Sequence, residues 1–544
     1  MTQDSAKEEA NTGLTHSRLT RSAGIVSIAV MCSRVLGLVR EQVLAALFEA
    51  QTGLDAFKAA FTIPNLMRDL FGEGILSKAL VATFKDVEAK SGEKAVWRLA
   101  NLVFNTTAII LVIITIVGIA LSPLVVGLIF RGKGFDTALP SESSFGFADK
   151  RELTIYLTRV MFPFLLLVSL AATAMGLLNS KGRFGVPASA SSFFNLGSVI
   201  VGVLGYRMAP NLGYHPLAGM AVGVLVGGAL QFLIQIPSMW RVGFRYKPIL
   251  SFTDPGLKQV MKLVTPALLG YAALQVNLLL NRFFASQGEG WITWNVQAFR
   301  IVHLPIGVIG VAISTASLPA LSQFVAQDSM EEYKRTFTYA LKLMFVLALP
   351  AAAGLIALNK PIVSLIFERL KFGSDDTIQV AGALFCYAFG LCGYSGRQIA
   401  VDGFIALKDM RTPVIVSLFT IALNILLNYI LIFGVGFKHR SLAVSTACSI
   451  TVNFVLVLSL LWRRVNGFGG YDLGSVFVRS VIAAAGMGII ALLTHNQLSG
   501  FVGSKLSLMA TIIVAMPVLY VLYRLLKVRE FDQVIKAIVE KIKR

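Results

Sequence analysis

The chain has 544 residues, 56% of them apolar and 14% charged, and a mean hydropathy of +0.72. A soluble domain carries roughly 25% charged residues, so this chain lacks the polar surface that a water-soluble protein of its length needs. The composition excludes a soluble enzyme, a nucleic-acid-binding domain, a secreted disulfide scaffold and a disordered chain. The net charge of +20, from 49 Lys and Arg against 29 Asp and Glu, is read as cytoplasmic-loop charge rather than as a footprint for nucleic acid. Cys32, Cys386, Cys392 and Cys448 lie in apolar stretches without metal-ligand spacing, the pattern of buried thiols.

Residues 1–21 are polar, lack a signal-peptide core and are expected to form a cytoplasmic tail. After them come about fourteen apolar segments long enough to cross a bilayer. Their approximate spans are 22–48, 54–84, 97–121, 153–178, 186–206, 217–240, 257–285, 291–325, 335–358, 377–407, 412–434, 441–463, 475–496 and 503–526. They predict an all-α polytopic membrane protein, since the strands of an outer-membrane barrel would alternate over about 10 residues. With the N-terminus inside, Lys85, Lys90, Lys94 and Arg98 fall on the cytoplasmic side, as do Lys181 and Arg183, Arg241 and Arg245, Lys334 and Arg335, Lys408 and Arg411, and Arg463 and Arg464. This is a positive-inside pattern, and an even number of helices with both termini cytoplasmic agrees with it. The tail 527–544 carries Phe531, Val534, Ile535, Ile538 and Ile542 at helical spacing, with lysines off that stripe. It is read as an amphipathic helix on the cytoplasmic membrane surface, the alternative being a solvated tail.

A weak internal repeat has a spacing of about 240 residues. Phe61-Thr-Ile-Pro-Asn-Leu66 resembles Phe299-Arg-Ile-Val-His-Leu304, and Leu128-Ile129-Phe130 with Phe135 matches Leu365-Ile366-Phe367 with Phe372. The spacing covers six helices, an even number, so the copies share one orientation. The expected organisation is two six-helix bundles, 22–245 and 246–465, related by a pseudo-two-fold axis along the membrane normal, with helices 13 and 14 (466–526) added. Transporters built this way place their substrate between the halves.

Charges inside spans are costly and face the interior, pair, or snorkel. They concentrate in three helices: Arg34, Arg40 and Glu41 in the first, Asp55, Lys58, Arg68, Asp69, Glu73 and Lys78 in the second, Arg300 with His303 in the eighth. Arginine keeps its charge and binds phosphate bidentately, so a convergent set would make a cationic cavity for a pyrophosphate. Arg34 and Arg40 stand about 120° out of line and roughly 9 Å apart along the axis, close enough to line a wide cavity. The competing reading pairs each arginine with a nearby carboxylate. Pro64 and Gly74 in helix 2, and Pro305 and Gly307 beyond Arg300, are helix-breaking residues beside charges and mark candidate gating points. Gly219, Gly223 and Gly227 form a small-residue ladder for helix packing. Asn424 and Asn428 are weak candidates for a cation site, with an interhelical hydrogen bond the favoured reading. No zinc-protease, Walker or Ser/His/Asp arrangement occurs, so an enzyme is not expected. Without an ATP-binding motif, transport would run on a coupling cation (Na+ or H+), the membrane potential or the substrate's own gradient. No other cofactor and no resident metal is expected.

SRVLGLVRE (33–41), LDAFKAAFTIPNLMRDLFGEGILSKAL (54–80) and FRIVHLPIGVIGVAISTASLPALSQF (299–324) resemble the MurJ/MviN family of bacterial lipid II flippases, part of the multidrug/oligosaccharidyl-lipid/polysaccharide exporter superfamily. The resemblance implies a 14-helix, V-shaped transporter of the cytoplasmic (inner) membrane. It implies movement of undecaprenyl-pyrophosphate-linked disaccharide-pentapeptide from the inner to the outer leaflet by alternating access. Substrate-binding roles carry over to Arg34, Arg40, Asp55, Arg68, Glu73 and Arg300, and helices 13 and 14 would form a groove for the lipid tail. The implied partners are lipid II, membrane lipids and cell-wall synthesis proteins, with the chain acting as a monomer and without nucleic acid. The sequence departs from the family at Asp69, where a second arginine is usual, at Phe299, where an acidic residue is usual, at Lys58, usually apolar, and in FGEG for FAEG. The alternatives are a flippase for another polyprenyl-linked oligosaccharide, a cation-coupled drug exporter, and a membrane enzyme acting on polyprenyl pyrophosphates.

Overall fold

The computed structural model describes residues 26, 28–71, 75–139, 144–470 and 472–533, with the backbone alone at 69–71, 75–79 and 266–274. The described residues form no strand, only the isolated bridges Ala138–Asp149 and Arg369–Phe372. Helices are what a lipid solvent demands, because each satisfies its own backbone hydrogen bonds. The N-tail 1–21 expected in the cytoplasm, Glu73, Gly74 and most of the C-tail expected to be amphipathic lie outside the described residues.

The chain divides into two compact units, residues 1–290 and 291–544. The first holds α1 (28–47), α2 (Gly53–Phe71), α3 (Ile75–Ile129), α4 (Lys150–Met161), α5 (Phe164–Ser180), α6 (Gly185–Met208), α7 (Pro216–Leu233), α8 (Ile236–Arg241) and α9 (Pro255–Ala285). The second holds α10 (Trp291–Pro305), α11 (Val311–Ala326), α12 (Met330–Ala357), α13 (Asn359–Phe367), α14 (Ser374–Phe389), α15 (Leu391–Ala406), α16 (Arg411–Tyr429), α17 (Arg440–Arg464), α18 (Leu473–Val502) and α19 (Ser504–Leu525). Among the described residues ten helical stretches are long and apolar enough to span a membrane, or eleven if α14 and α15, bent by 40°, count as one. Proline explains one interruption. The expected span 153–178 parts into α4 and α5 at Phe162–Pro163, because Pro163 has no N–H to continue the ladder.

Sequence repetition places a boundary at 245/246, whereas packing places α9 with the first unit. The reason is a clamp on the chain that leads into it. Asn101 on α3 donates to Arg245 O at 3.0 Å and accepts from Lys247 N at 2.6 Å, and Asn105 donates to Lys247 O and Ile249 O at 3.0 and 2.8 Å. The two amides stand in for a neighbouring strand and satisfy an extended backbone that would otherwise lack partners. Asp254 then caps α9 by accepting from Gly256 N at 2.9 Å, with Pro255 opening the helix. Leu257 and Val260 join Leu99, Val103, Phe104, Leu177 and Phe244 in one buried cluster.

Helices α6 and α7 meet backbone to backbone. A methyl group added at Gly205 would stand 2.7 Å from Gly219 Cα, and one at Gly223 would stand 2.7 Å from Gly202 Cα. The glycine ladder read from the sequence is therefore a packing surface. Where lipid is as apolar as leucine, such close approach is what holds two helices together. The second unit repeats the first in one detail that the sequence matched: Phe130 and Phe135 stack at 5.1 Å, and Phe367 and Phe372 contact at 6.0 Å, all four buried.

Replacing Gly219 by Val is expected to lower stability by about 1–3 kcal/mol or more through overpacking. Gly127→Ala, at a position with open space around it, should change little. Thermal midpoints in detergent would check the contrast. His215 caps α7 through Nδ1, which accepts from Leu217 N at 3.1 Å, and burial lowers its pKa to about 4. A lowered histidine pKa means that the folded state holds the neutral ring. Its contribution is present above pH 6.5 and is lost as pH falls from there through 4. The thermal midpoint is expected to drop over that window, and His215→Asn, which keeps a cap acceptor but does not titrate, should flatten the drop. The residue of the drop is expected from His439, also held near 4 by burial, with Arg440 and Lys438 adding to the effect.

Candidate functional site

The first unit collects its buried charges at the start of the chain. Glu41 on α1 stands 3.2 Å from Arg40 Nη2 and 3.3 Å from Lys58 Nζ on α2. The guanidinium of Arg40 lies 5.2 Å from the Phe194 ring and 5.9 Å from that of Phe61, within range of cation–π attraction. Lys58, the departure from the family pattern, is thus bound into the same cluster as Arg40. Arg34 is exposed, and Arg68, near the end of α2, is partly buried. Pro64 sits inside α2, which runs on through it to Phe71. Residues 72–74, between the described ends of α2 and α3, lie outside the described residues.

Asp55 has a different setting. Its carboxylate is fully buried and lies 2.8 Å from Lys150 Nζ, itself fully buried. The same ammonium donates to Gln51 O at 2.7 Å and stands 4.6 Å from the Phe135 ring. Gly290 N donates to Asp55 at 3.3 Å. The preceding loop is strapped down as well, with Gly132 N on Ser286 Oγ at 2.9 Å and Gly134 N on Ser286 O at 3.1 Å. Asp55 thereby ties the start of α2 to the start of α4 and to the end of the unit, and no part of it faces open space in this structure. Lys150 did not stand out in the sequence, because it opens a helix after a polar loop and reads as a surface residue.

In the second unit Arg300 lies on α10 and is partly buried. Phe299, another of the departures, stacks edge-on against His303 at 4.5 Å and contacts Tyr387 at 5.2 Å and Tyr394 at 5.6 Å. An aromatic cluster stands where the family usually has a carboxylate. Pro305 ends α10, and Ile306–Gly310, including Gly307, forms a π-helical turn before α11. Such turns mark places where a helix carries an inserted residue and bends, often at functional sites. Trp294 Nε1 donates to Asp376 at 2.8 Å, so a buried carboxylate ties α10 to α14 much as Asp55 ties α2 to α4.

The remaining polar candidates form bridges between helices. Asn428 donates to Asn424 Oδ1 at 3.2 Å, Asn424 donates to Ser445 Oγ at 3.4 Å, and Ser445 donates to Asn428. This triangle joins α16 to α17, the interhelical reading of the two asparagines. Arg397 donates to Asn453 at 3.0 Å and to Ser417 at 3.2 Å, and Asp402 accepts from Ser314. Among the described residues no group of three or more His, Cys, Asp or Glu is placed to hold a metal ion.

Sequence reading by itself did not reveal the full shape of the apolar groove. A cavity of about 1040 Å³ runs along α12, α14, α15, α17 and α18, lined by residues such as Phe345, Leu349, Phe385, Phe454 and Phe477. Helix α19 lines none of it. It packs behind α18 through Leu508, Leu519 and Tyr523, whose hydroxyl donates to Val346 O at 2.7 Å. Of the two helices expected to form the groove, α18 supplies wall and α19 supplies backing.

Comparison with known proteins places this arrangement. A family model described as "Lipid II flippase MurJ" matches residues 44–528. The protein named "Probable lipid II flippase MurJ" of Vibrio cholerae serotype O1 is 32% identical over 457 residues, 84% of each chain. The "Lipid II flippase MurJ" of Burkholderia cenocepacia is 32% identical over 452 residues, 82% of this chain and 84% of that one. A solved structure of lipid II flippase MurJ in an inward closed conformation matches with a TM-score of 0.73 at 24% identity, covering 92% of this chain and 98% of that one. An inward-facing multidrug resistance MATE family transporter of the MOP superfamily matches with a TM-score of 0.65 at 14% identity, covering 82% and 98%. At those identities the structures establish the fold.

Removing one member of a buried ion pair leaves the other unpaired, at a cost of about 3–5 kcal/mol, whereas replacing both is far milder. Asp55→Asn is therefore expected to lower the detergent thermal midpoint strongly, and the double variant Asp55→Asn with Lys150→Met to recover most of it. A double variant no more stable than the single one would show that Asp55 acts through something other than Lys150.

Proposed function

The chain belongs to the lipid II flippase MurJ family of multi-pass membrane transporters, and from that premise we propose that it moves lipid II from the inner to the outer leaflet of a bacterial inner membrane. The observation that carries the reading is the pairing of two chemistries. Arginines stand in apolar helices, as at Arg40 and Arg300, and an apolar groove of about 1040 Å³ accompanies them. An amphiphile with a pyrophosphate head and a long isoprenoid tail needs both.

Under this proposal Arg34, Arg40, Arg68 and Arg300 take up the pyrophosphate charge, and the tail stays in the groove. Glu41 keeps Arg40 in place. Asp55 acts as a positioning residue through Lys150. Glu73 and Gly74 keep the roles that the family resemblance gives them. Alternating access would use the bend at the π turn after Pro305, and a ligand drives such a change only by binding one state better than the other. Both termini are placed in the cytoplasm, following the positive-inside pattern. A coupling cation or the membrane potential would supply direction. The protein would work as a monomer beside cell-wall synthesis enzymes.

The test uses a bacterium depleted of its own flippase and supplied with this protein. Lipid II reaching the outer leaflet is read by its cleavage with an externally added enzyme, with membrane levels measured in parallel. Wild type is expected to restore cleavage. A charge-assisted hydrogen bond contributes about 1.5–3 kcal/mol, so Arg300→Ala should reduce the rate by about 10- to 100-fold, and Arg300→Lys by less. Full activity of a well-expressed Arg300→Ala variant would remove Arg300 from the site. A wild-type protein that reaches the membrane but restores nothing would overturn the lipid II reading.

A further inference from the structure

The groove does not end blindly. At one end it shares Asn359 and Phe385 with a second cavity of about 330 Å³, into which Lys360 at the start of α13 and Arg440 at the start of α17 project alongside Cys386. At the other end it shares Leu473 with a cavity holding Trp462 and Arg463. Arg440 and Arg463 are the two ends of one helix, about 35 Å apart at 1.5 Å per residue, which is close to the hydrocarbon thickness of a bilayer. The groove therefore runs along a full membrane crossing, with a basic pocket at the Arg440 end and a cavity holding both Arg463 and Asp472 at the other.

The pocket of Lys360 and Arg440 is set up for an anion. Among the described residues no carboxylate lines it, and neither cation has an ion-pair partner. Both helices begin there without a side-chain cap and without an acidic residue in the first turn. The positive dipole end of each helix favours a negative charge, yet Lys360 and Arg440 stand in the first turns. Lys360 is exposed and Arg440 half-buried, so an anion in the pocket can reach both. The guanidinium is also given room: a methyl group at Gly382 would stand 2.5 Å from Arg440 Nε, so Arg440 lies against the bare backbone of α14.

We propose that this pocket is an exit site, holding the pyrophosphate of the polyprenyl-linked lipid in the outer leaflet while its tail still occupies the groove. The inference rests on the flippase reading and on cytoplasmic termini, which place the 358–373 and 434–440 connections outside. Two unpaired cations match a pyrophosphate, and the continuous apolar wall matches a long single tail.

Cys386 provides a local probe. In nanodiscs, a variant retaining Cys386 alone (Cys32→Ser, Cys392→Ala, Cys448→Ser) is labelled with a water-soluble maleimide. Undecaprenyl pyrophosphate is expected to slow labelling at least fivefold, and undecaprenol or inorganic pyrophosphate to leave it unchanged. Adding Lys360→Gln and Arg440→Gln should abolish the protection, and Lys360→Arg with Arg440→Lys should keep it. Ile378→Cys, on the same wall and 43% exposed, gives the same readout if Cys386 reacts too slowly to follow. Equal protection by phosphatidylglycerol would identify an ordinary phospholipid site and overturn the proposal. So would protection by inorganic pyrophosphate alone, or none by any probe. The cell assay keeps the two readings apart: wild type that restores lipid II cleavage without protection at Cys386 retains the flippase and loses the exit site.

Discussion

A charge buried among apolar helices must find an opposite charge or a set of dipoles, and much of this structure follows from that constraint. Asp55 and Lys150 meet it completely: neither touches solvent, and their 2.8 Å contact fixes α2, α4 and the 286–290 loop in one place. Glu41 meets it by holding both Arg40 and Lys58. Arg397 meets it with neutral partners, Asn453 and Ser417.

The apolar side has a matching division. Where two helices need to stay together, glycines let their backbones touch, as along α6 and α7. Beside α18, larger side chains line an open apolar groove. Helix α19 stabilises that wall from behind, through a cluster reaching Val346 on α12.

Much of the fold was legible in the sequence because the bilayer sets the length and polarity of each helix. The glycine ladder and the interhelical asparagines were also visible, since a small residue or an amide in an apolar helix has few other uses. The site was legible as a set of residues more than as an arrangement. Asp55 read like Arg40, a charge in a helix, yet it is closed off by a lysine that only the fold brings across from α4. Pro64 and Pro305 read alike too. Helix α2 continues through the first, while a π turn follows the second, because the neighbouring backbone decides how a missing N–H is accommodated.

The sequence by itself determined that this is a membrane transporter of many helices, where its cations lie and which family it belongs to. Those properties follow from composition, local periodicity and short contiguous motifs. Only the tertiary structure decided that Lys150 neutralises Asp55, that Lys58 shares Glu41 with Arg40, that α9 packs with the first unit, and that the groove runs on to Lys360 and Arg440. Each of these depends on residues far apart in the chain, and sequence spacing carries no record of which distant side chain a buried charge will meet.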